Sequence, residues 1–365
     1  MNPDEIIDLP ASMESRRATR MLERALFEVK KVVVGQDRMT ERLFVCLLAR
    51  GHCLLEGAPG LAKTLAAETL ARTVGGDFAR LQFTPDLVPA DIVGTRIYKA
   101  STESFEIELG PIFANIVLAD EINRAPAKVQ SALLEVMAER HVSIGGTTFP
   151  VPTPFMVMAT QNPIESEGVY PLPEAQRDRF LMKVLVDYPS AREEAEIVRR
   201  MSVAPPVAQT VLADEELVGL QKAADAVFIH DGILEYAVRL VLATRAPAAV
   251  AAHAAHVGGT PPIPPGHNLS DLVGLISHGA SPRATLGLVA ASRALALLRG
   301  RDFVLPQDVY DVAPDVLRHR VLLSYEAIAD GISAEHIVNR VVSTVLAPRL
   351  APSQDNEVVL EERAS

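Results

Sequence analysis

Apolar residues recur at two different periods along this chain, and the change of period divides it. Between Ser12 and Val33, Met21, Leu22, Ala25, Leu26 and Val29 return at helical spacing among charged residues, which predicts an amphipathic opening helix. A loop at Gly35–Gln36 follows, then a second helix from about Asp37. The pattern then switches to short unbroken apolar runs: CLLEG, ARLQF, NIVLADE, FMVMATQN and FLMKVLVD. Each is the length of a strand buried on both faces, and helical segments lie between them. That alternation predicts an α/β domain with a parallel sheet, whose ligands bind beyond the C-terminal ends of the strands.

After Asp187 the strand signals fade. The segments YPSAREEAEIVRRM, DEELVGLQKAADAVFI, DGILEYAVRLVLATR, SPRATLGLVAASRALALLRG and PQDVYDVAPDVLRHRVLL read as helices, several opening on Ser, Asp or Pro. The expected organisation is an αβα domain over residues 1–187, of which 1–35 form an N-terminal helix and linker, and a helical domain over 188–351 hinged near Tyr188–Pro189. Within the second domain, a low-complexity Ala, His, Gly and Pro stretch from about 246 to 268 reads as a surface insertion, and 352–365 as a frayed acidic tail.

Composition narrows the class. With 365 residues the chain exceeds the usual size of a single core, and its 48% hydrophobic content supplies two. No tryptophan and 5% aromatics point to aliphatic packing. A net charge of -11 argues against gripping duplex nucleic acid over a broad surface, which needs clustered Lys and Arg. Cys46 and Cys53 form no CxxC pair, so a reducing compartment and buried, unreactive thiols are expected. The opening MNPDEIIDLP lacks the basic start and apolar core of a secretion signal, and no apolar stretch approaches the roughly 20 residues of a membrane span. A soluble cytoplasmic protein is expected.

The chemistry concentrates at the ends of the predicted strands. After CLLE comes GAPGLAKT, close to the phosphate-binding pattern GxxxxGK[ST], then a helix. Backbone N–H groups of Gly57, Ala58, Pro59–Gly60, Leu61, Ala62, Lys63, Thr64 and Leu65 would wrap a phosphate chain, the Pro59 position excepted for want of a donor. Gly57 and Gly60 let the chain turn, Lys63 reaches the β- and γ-phosphates, and Thr64 can hold Mg²⁺. Ala62 stands where strict spacing has glycine; a negative φ is expected there, so the methyl should cost little. NIVLADEINRAP adds an apolar strand ending in Asp120, which would accept from metal-bound water, and Glu121, which would polarise the attacking water. FMVMATQNP ends in Gln161–Asn162–Pro163, and the Asn162 amide is placed to position water beside the γ-phosphate.

GAPGLAKT, VLADEINRAP, ATQNP, PLPEAQRDRF and GASPRAT, in this order over most of Gln36 to Leu323, resemble the MoxR family of AAA+ ATPases. The resemblance implies a five-stranded P-loop αβα domain with an all-α lid, ATP and Mg²⁺ as cofactors, and homo-oligomeric rings, commonly hexamers. By the same resemblance Lys63 and Thr64 are Walker A, Asp120 and Glu121 Walker B, and Asn162 sensor 1. Arg283 matches sensor 2, Arg179 in DRF the arginine finger presented to a neighbour, and Gly35–Gln36 the segment near adenine. Arg177 replaces the usual leucine, so two arginines compete for the finger role. A hairpin from Tyr98 to Ile107 and another turning at Gly145–Gly146 match insertions that face the ring pore or partners in relatives.

The function implied is ATP-driven remodelling or activation of partner proteins, often with von Willebrand factor A domain partners. A DNA motor is disfavoured by the net acidity, and a non-hydrolysing nucleotide switch by Glu121. His253, His256, His267 and His278 lack acidic or thiolate partners in sequence and read as solvated rather than metal-binding.

Overall fold

Why the apolar runs become one buried sheet is visible in a computed structural model, which describes residues 13–101, 103–163, 169–202, 205–250 and 269–348. By compactness the chain forms two units. One takes the chain up to Phe228 together with Ala290–Phe303; the other takes Ile229–Val289 and the chain from Val304.

The first unit opens with α1 (Met13–Val32) and α2 (Asp37–Leu48), followed by β1 (Cys53–Glu56), α3 (Lys63–Thr73) and β2 (Phe78–Gln82). A short α4 (Pro89–Val93) leads into the hairpin β3 (Gly94–Lys99) and β4 (Ser104–Leu109). Then come β5 (Ile116–Asp120), α5 (Ala127–Glu139), the hairpin β6 (His141–Ile144) and β7 (Thr147–Pro150), and β8 (Met156–Gln161). The unit continues through α6 (Glu174–Arg177), β9 (Met182–Leu185), α7 (Ala191–Met201) and α8 (Asp214–Ala226).

Five strands form a parallel sheet in the order β2-β5-β8-β1-β9. Ile116–Ala119 and Met156–Thr160 are buried on both faces, as continuous apolar strands covered by helices must be. Leu54, Val117, Ala119, Val157 and Phe180 share one core with Ile122 and Leu133 from the connections. The register aligns Glu56 with Gln161 and Gln82 with Asp120, so the polar strand ends gather at one edge of an otherwise apolar sheet. Both expected hairpins are present. Gly145 (φ 58) and Gly146 (φ 87) sit in the left-handed region that a tight two-residue turn requires. In the other hairpin Tyr98 faces Phe105 across the strands at 5.2 Å between ring centroids.

The helices α7 and α8, which the sequence grouped with the second domain, are held in the first unit. Gln221 Nε2 donates to Leu47 O on α2 at 2.8 Å, and Arg200 Nη1 reaches Lys30 O and Lys31 O on α1.

The second unit contains α9 (Asp231–Arg245), α10 (Pro247–Val250), β10 (Ile276–His278), the start of α11 (Pro282–Leu298), α12 (Pro306–Leu317), β11 (Leu322–Leu323), α13 (Tyr325–Ala329) and α14 (Ala334–Thr344). Its helices are joined by the antiparallel ribbon β10–β11, too short to leave an alternating pattern in the sequence. A buried cluster ties α12 to α14: Arg318 pairs with Asp315, which is fully buried, and its Nε donates to Glu335 Oε2 at 2.6 Å. The 1–12 segment, the bulk of the 246–268 insertion with His253, His256 and His267, and the 352–365 tail lie outside the described residues. No helix among the described residues is long and apolar enough to cross a membrane.

Beneath the sheet, His52 is buried as a neutral ring. Val157 N–H donates to its Nδ1 at 3.0 Å, so Nε2 carries the proton and donates to Met137 O at 3.2 Å. Burial pushes its pKa down to about 3, and the nearby Arg140 guanidinium lowers it further. An unfolded histidine takes up its proton near 6.5, so the unfolded state binds more protons between these values. Stability should therefore fall as the pH drops from about 6.5 toward 3, by up to about 1.4 kcal/mol per pH unit from this group. Urea unfolding at a series of pH values checks this: a His52→Gln chain should show a shallower decline than wild type, and parallel declines would assign the loss to other groups.

Candidate nucleotide-binding site

The strand-to-helix turn from Pro59 to Leu65 lines a cavity of about 410 Å³, together with Arg80, Asp120, Glu121, Thr160, Gln161 and Asn162. Three strands bring their C-terminal ends to it: Glu56 leads into the turn from β1, Asp120 ends β5, and Gln161 ends β8. Gly57 is required by close approach, because a Cβ there would lie 2.5 Å from Val186 O. At Gly60, with φ 81, a Cβ would meet nothing within 4 Å, so the requirement is the backbone turn itself. Lys63 is buried and its ammonium donates to Gly57 O at 2.5 Å, folding the side chain back under the turn. Burial lowers its pKa, while Asp120, Glu121 and Glu56 oppose that shift. Ala58 is buried beneath the loop, and Thr64 and Leu65 are half-buried.

Ala62 corrects an expectation. Its φ is 58, so it caps α3 from the left-handed region instead of a negative φ. The glycine of the strict pattern marks this conformation, which costs an L-residue about 1–2 kcal/mol. Ala62→Gly should therefore raise the stability of the fold by about 0.5–1 kcal/mol after the greater chain entropy of glycine is subtracted. The urea midpoint measures it, and a lower midpoint would show that the methyl contributes packing that outweighs the strain.

Glu121 shares this feature, with φ 57 at the head of the 3-10 turn Ile122–Arg124. Its N–H donates to Thr160 Oγ1 at 2.8 Å, and Thr160 in turn donates to Asp120 Oδ1 at 2.6 Å, so one hydroxyl locks both acidic residues. The Glu121 carboxylate is also engaged: Gln82 Nε2 donates to Oε2 at 2.9 Å and Arg124 Nε lies 3.0 Å from the same oxygen. Arg80 Nη2 donates to Asp120 Oδ2 at 2.7 Å and to Gln82 Oε1 at 3.1 Å. Sequence reasoning missed Arg80, Gln82, Thr160 and Arg124. Arg80 and Gln82 alternate with Ala79 and Leu81 on β2, a period-2 signal for two polar side chains on one face of a sheet strand.

Asn162 is buried and borders both this cavity and a second of about 750 Å³, which Glu56, Asn123, Arg177 and Lys183 also line. Lys183 pairs with Glu56 at 2.8 Å. The two candidate finger arginines separate here. Arg177 faces the larger cavity, and its Nε is buried with no hydrogen-bond partner among the described residues. Arg179 lines neither of the two cavities and donates through Nη1 to Leu134 O on α5. It precedes β9, whose partner register with β1 places it at the sheet end opposite the phosphate-binding turn. Gly35, with φ 72, is pressed against Glu193, and Gln36 Nε2 donates to Asp187 O at 3.0 Å; neither lines the smaller cavity. Arg283 belongs to the second unit, exposed at the start of α11, where its N–H donates to Ser281 Oγ at 3.2 Å.

The residues suit a hard divalent cation. Asp120 and the Thr64 hydroxyl offer oxygen donors on one cavity, and among the described residues no group of three or more His, Cys, Asp or Glu could form an all-protein cage. Magnesium is characteristically held this way, by one or two side-chain oxygens with waters and substrate phosphates.

Comparison with known proteins finds relatives over both units of the chain. Residues 52–182 match the family profile described as ATPase family associated with various cellular activities (AAA), and residues 274–341 match the AAA lid domain. Chaperone MoxR1 of Mycobacterium tuberculosis is 59% identical over 339 residues, covering 92% of this chain and 85% of that protein. Protein MoxR of Methylorubrum extorquens is 33% identical, covering 88% and 93%. A crystal structure of a proposed ATPase from Cytophaga hutchinsonii superposes with a TM-score of 0.82 at 43% identity, covering 92% of this chain and 97% of the other.

Proposed function

Because the chain belongs to the MoxR family of AAA+ ATPases, we propose that it hydrolyses ATP to ADP and phosphate with Mg²⁺ and uses the cycle to remodel or activate partner proteins in the cytoplasm. The observation that carries the reading is the single cavity on which Lys63, Thr64, Asp120, Glu121 and Asn162 converge. Lys63 neutralises the β- and γ-phosphates, the loop amides cradle them, and Thr64 and Asp120 hold the metal. The metal supplies charge neutralisation at the transferring phosphoryl group. Glu121 orients and polarises the water, Asn162 positions it, and Arg283 reports the γ-phosphate to the lid. Gly35 and Gln36 flank the adenine side.

Assembly into a homo-oligomeric ring, a hexamer in this reading, places Arg179 at the neighbour's nucleotide. Clients are proteins, with von Willebrand factor A domain proteins among the candidates, because MoxR1 is itself named a chaperone and this chain's charge of -11 disfavours nucleic acid.

Two measurements test the reading together. Lys63→Ala should abolish binding of a fluorescent ATP analogue by removing the charge that faces the phosphates. The wild-type ATPase rate should not respond to single- or double-stranded DNA. Stimulation by DNA would move the protein to the motor class, and retained ATP affinity in Lys63→Ala would remove the assigned phosphate cation.

A further inference from the structure

The metal-side carboxylate already has a cationic partner that faces the same cavity. Arg80 Nη2 lies 2.7 Å and Nε 3.2 Å from Asp120 Oδ2, while the other carboxylate oxygen accepts from Thr160. Asp120 is therefore hydrogen-bonded through both oxygens, and the bond to Oδ2 is the replaceable one. The Arg80 side chain is 51% exposed, against 13% for Asp120, so the guanidinium can leave without vacating a packed position. Gln82 Oε1, at 3.1 Å, holds the same Nη2 and gives it a second resting contact.

The charge balance gives this pair a consequence. Of the residues lining the cavity, Lys63 and Arg80 offset Asp120 and Glu121. A divalent cation arriving alone would add two positive charges to a balanced site and would meet Arg80 at its principal carboxylate. Arriving with nucleotide phosphates, its charge is matched, and Arg80 loses the competition for Oδ2.

We propose that Arg80 is a competing counter-ion of Asp120, which weakens divalent-cation binding at this site and makes retention of the metal depend on bound nucleotide phosphate. This rests on the reading of Asp120 as the metal-side carboxylate. Arg80 acts through Asp120 and is a positioning residue, so the readout is metal affinity and not turnover.

The test uses Mn²⁺ as a paramagnetic stand-in for Mg²⁺. The full chain, both nucleotide-free and saturated with ADP, is titrated with Mn²⁺, and the free ion is followed by its electron paramagnetic resonance signal. Arg80→Met, which keeps length and removes charge, should tighten Mn²⁺ binding to the nucleotide-free chain by about 1.4-fold to fivefold, the range of one screened pair at a half-exposed site, and by less when ADP is bound. Arg80→Lys, which keeps the charge, should stay near wild type. Asp120→Asn should weaken binding. If Asp120→Asn weakens Mn²⁺ binding and Arg80→Met leaves it unchanged or weaker, the counter-ion role is overturned while the metal site stands. If Asp120→Asn has no effect, the metal-side reading itself fails. Circular dichroism on each variant confirms that the fold is retained, and Arg80→Lys supplies the folded comparison should Arg80→Met be unstable.

Discussion

A Glu121→Gln chain should bind ATP with wild-type affinity and turn it over about 10²–10⁴ times more slowly, the range over which a positioned general base contributes. The amide keeps the shape of the side chain and can still accept from Gln82 Nε2 or Arg124, so the cavity is preserved. It cannot take a proton from water, so the loss falls on chemistry and not on binding. Single-turnover hydrolysis of labelled ATP, beside equilibrium binding of a fluorescent analogue, separates the two. Near-normal turnover with unchanged metal dependence would assign water activation to another group. The same variant, held with ATP bound, is the form in which client proteins are best retained for identification.

The second large effect concerns assembly. Arg179→Ala should lower the specific activity by about 10³–10⁵, the contribution of a guanidinium delivered to a developing phosphoryl charge. The effect is expected to be intersubunit because Arg179 stands before β9 at the sheet end opposite its own phosphate-binding turn. Specific activity should accordingly rise with protein concentration. Mixing inactive Lys63→Ala with inactive Arg179→Ala chains should partly restore hydrolysis, since each supplies across one interface what the other lacks. A mixture that stays inactive while both variants assemble removes Arg179 from the role. Rescue by Arg177→Ala instead transfers it to Arg177, which shares its cavity with Asn162 of its own chain.

Much of this site was legible because its determinants are local. Continuous apolar runs such as NIVLAD admit one solution in an α/β domain, a strand covered on both faces, and the acidic residues that end them then lie at the ligand-binding edge. The pairings that surround the carboxylates were not legible, because they depend on strand order. Nothing in the sequence says that β2 neighbours β5, and only that neighbour relation brings Arg80 and Gln82 to Asp120 and Glu121. The ribbon β10–β11 escaped for a different reason: at this length no periodicity exists to detect. The backbone of Ala62 was misread because the alanine was judged by its size, whereas the position is selected by φ. The compact division at Phe228 depends on α7 and α8 docking against α1 and α2, a tertiary preference that their amphipathic sequences leave open.

Ala62 and Glu121, at φ 58 and 57, both line the cavity in a conformation that an ordinary side chain resists. The surrounding structure holds them there through the sheet, the turn and the Thr160 hydroxyl. The site is in this sense preorganised. The entropy of ordering these two backbone segments is lost when the protein folds, so on the proposed function a nucleotide entering the cavity would meet two segments that are already ordered. Capture would then require little rearrangement of the loop, leaving the free energy of phosphate contacts for discriminating between nucleotide states.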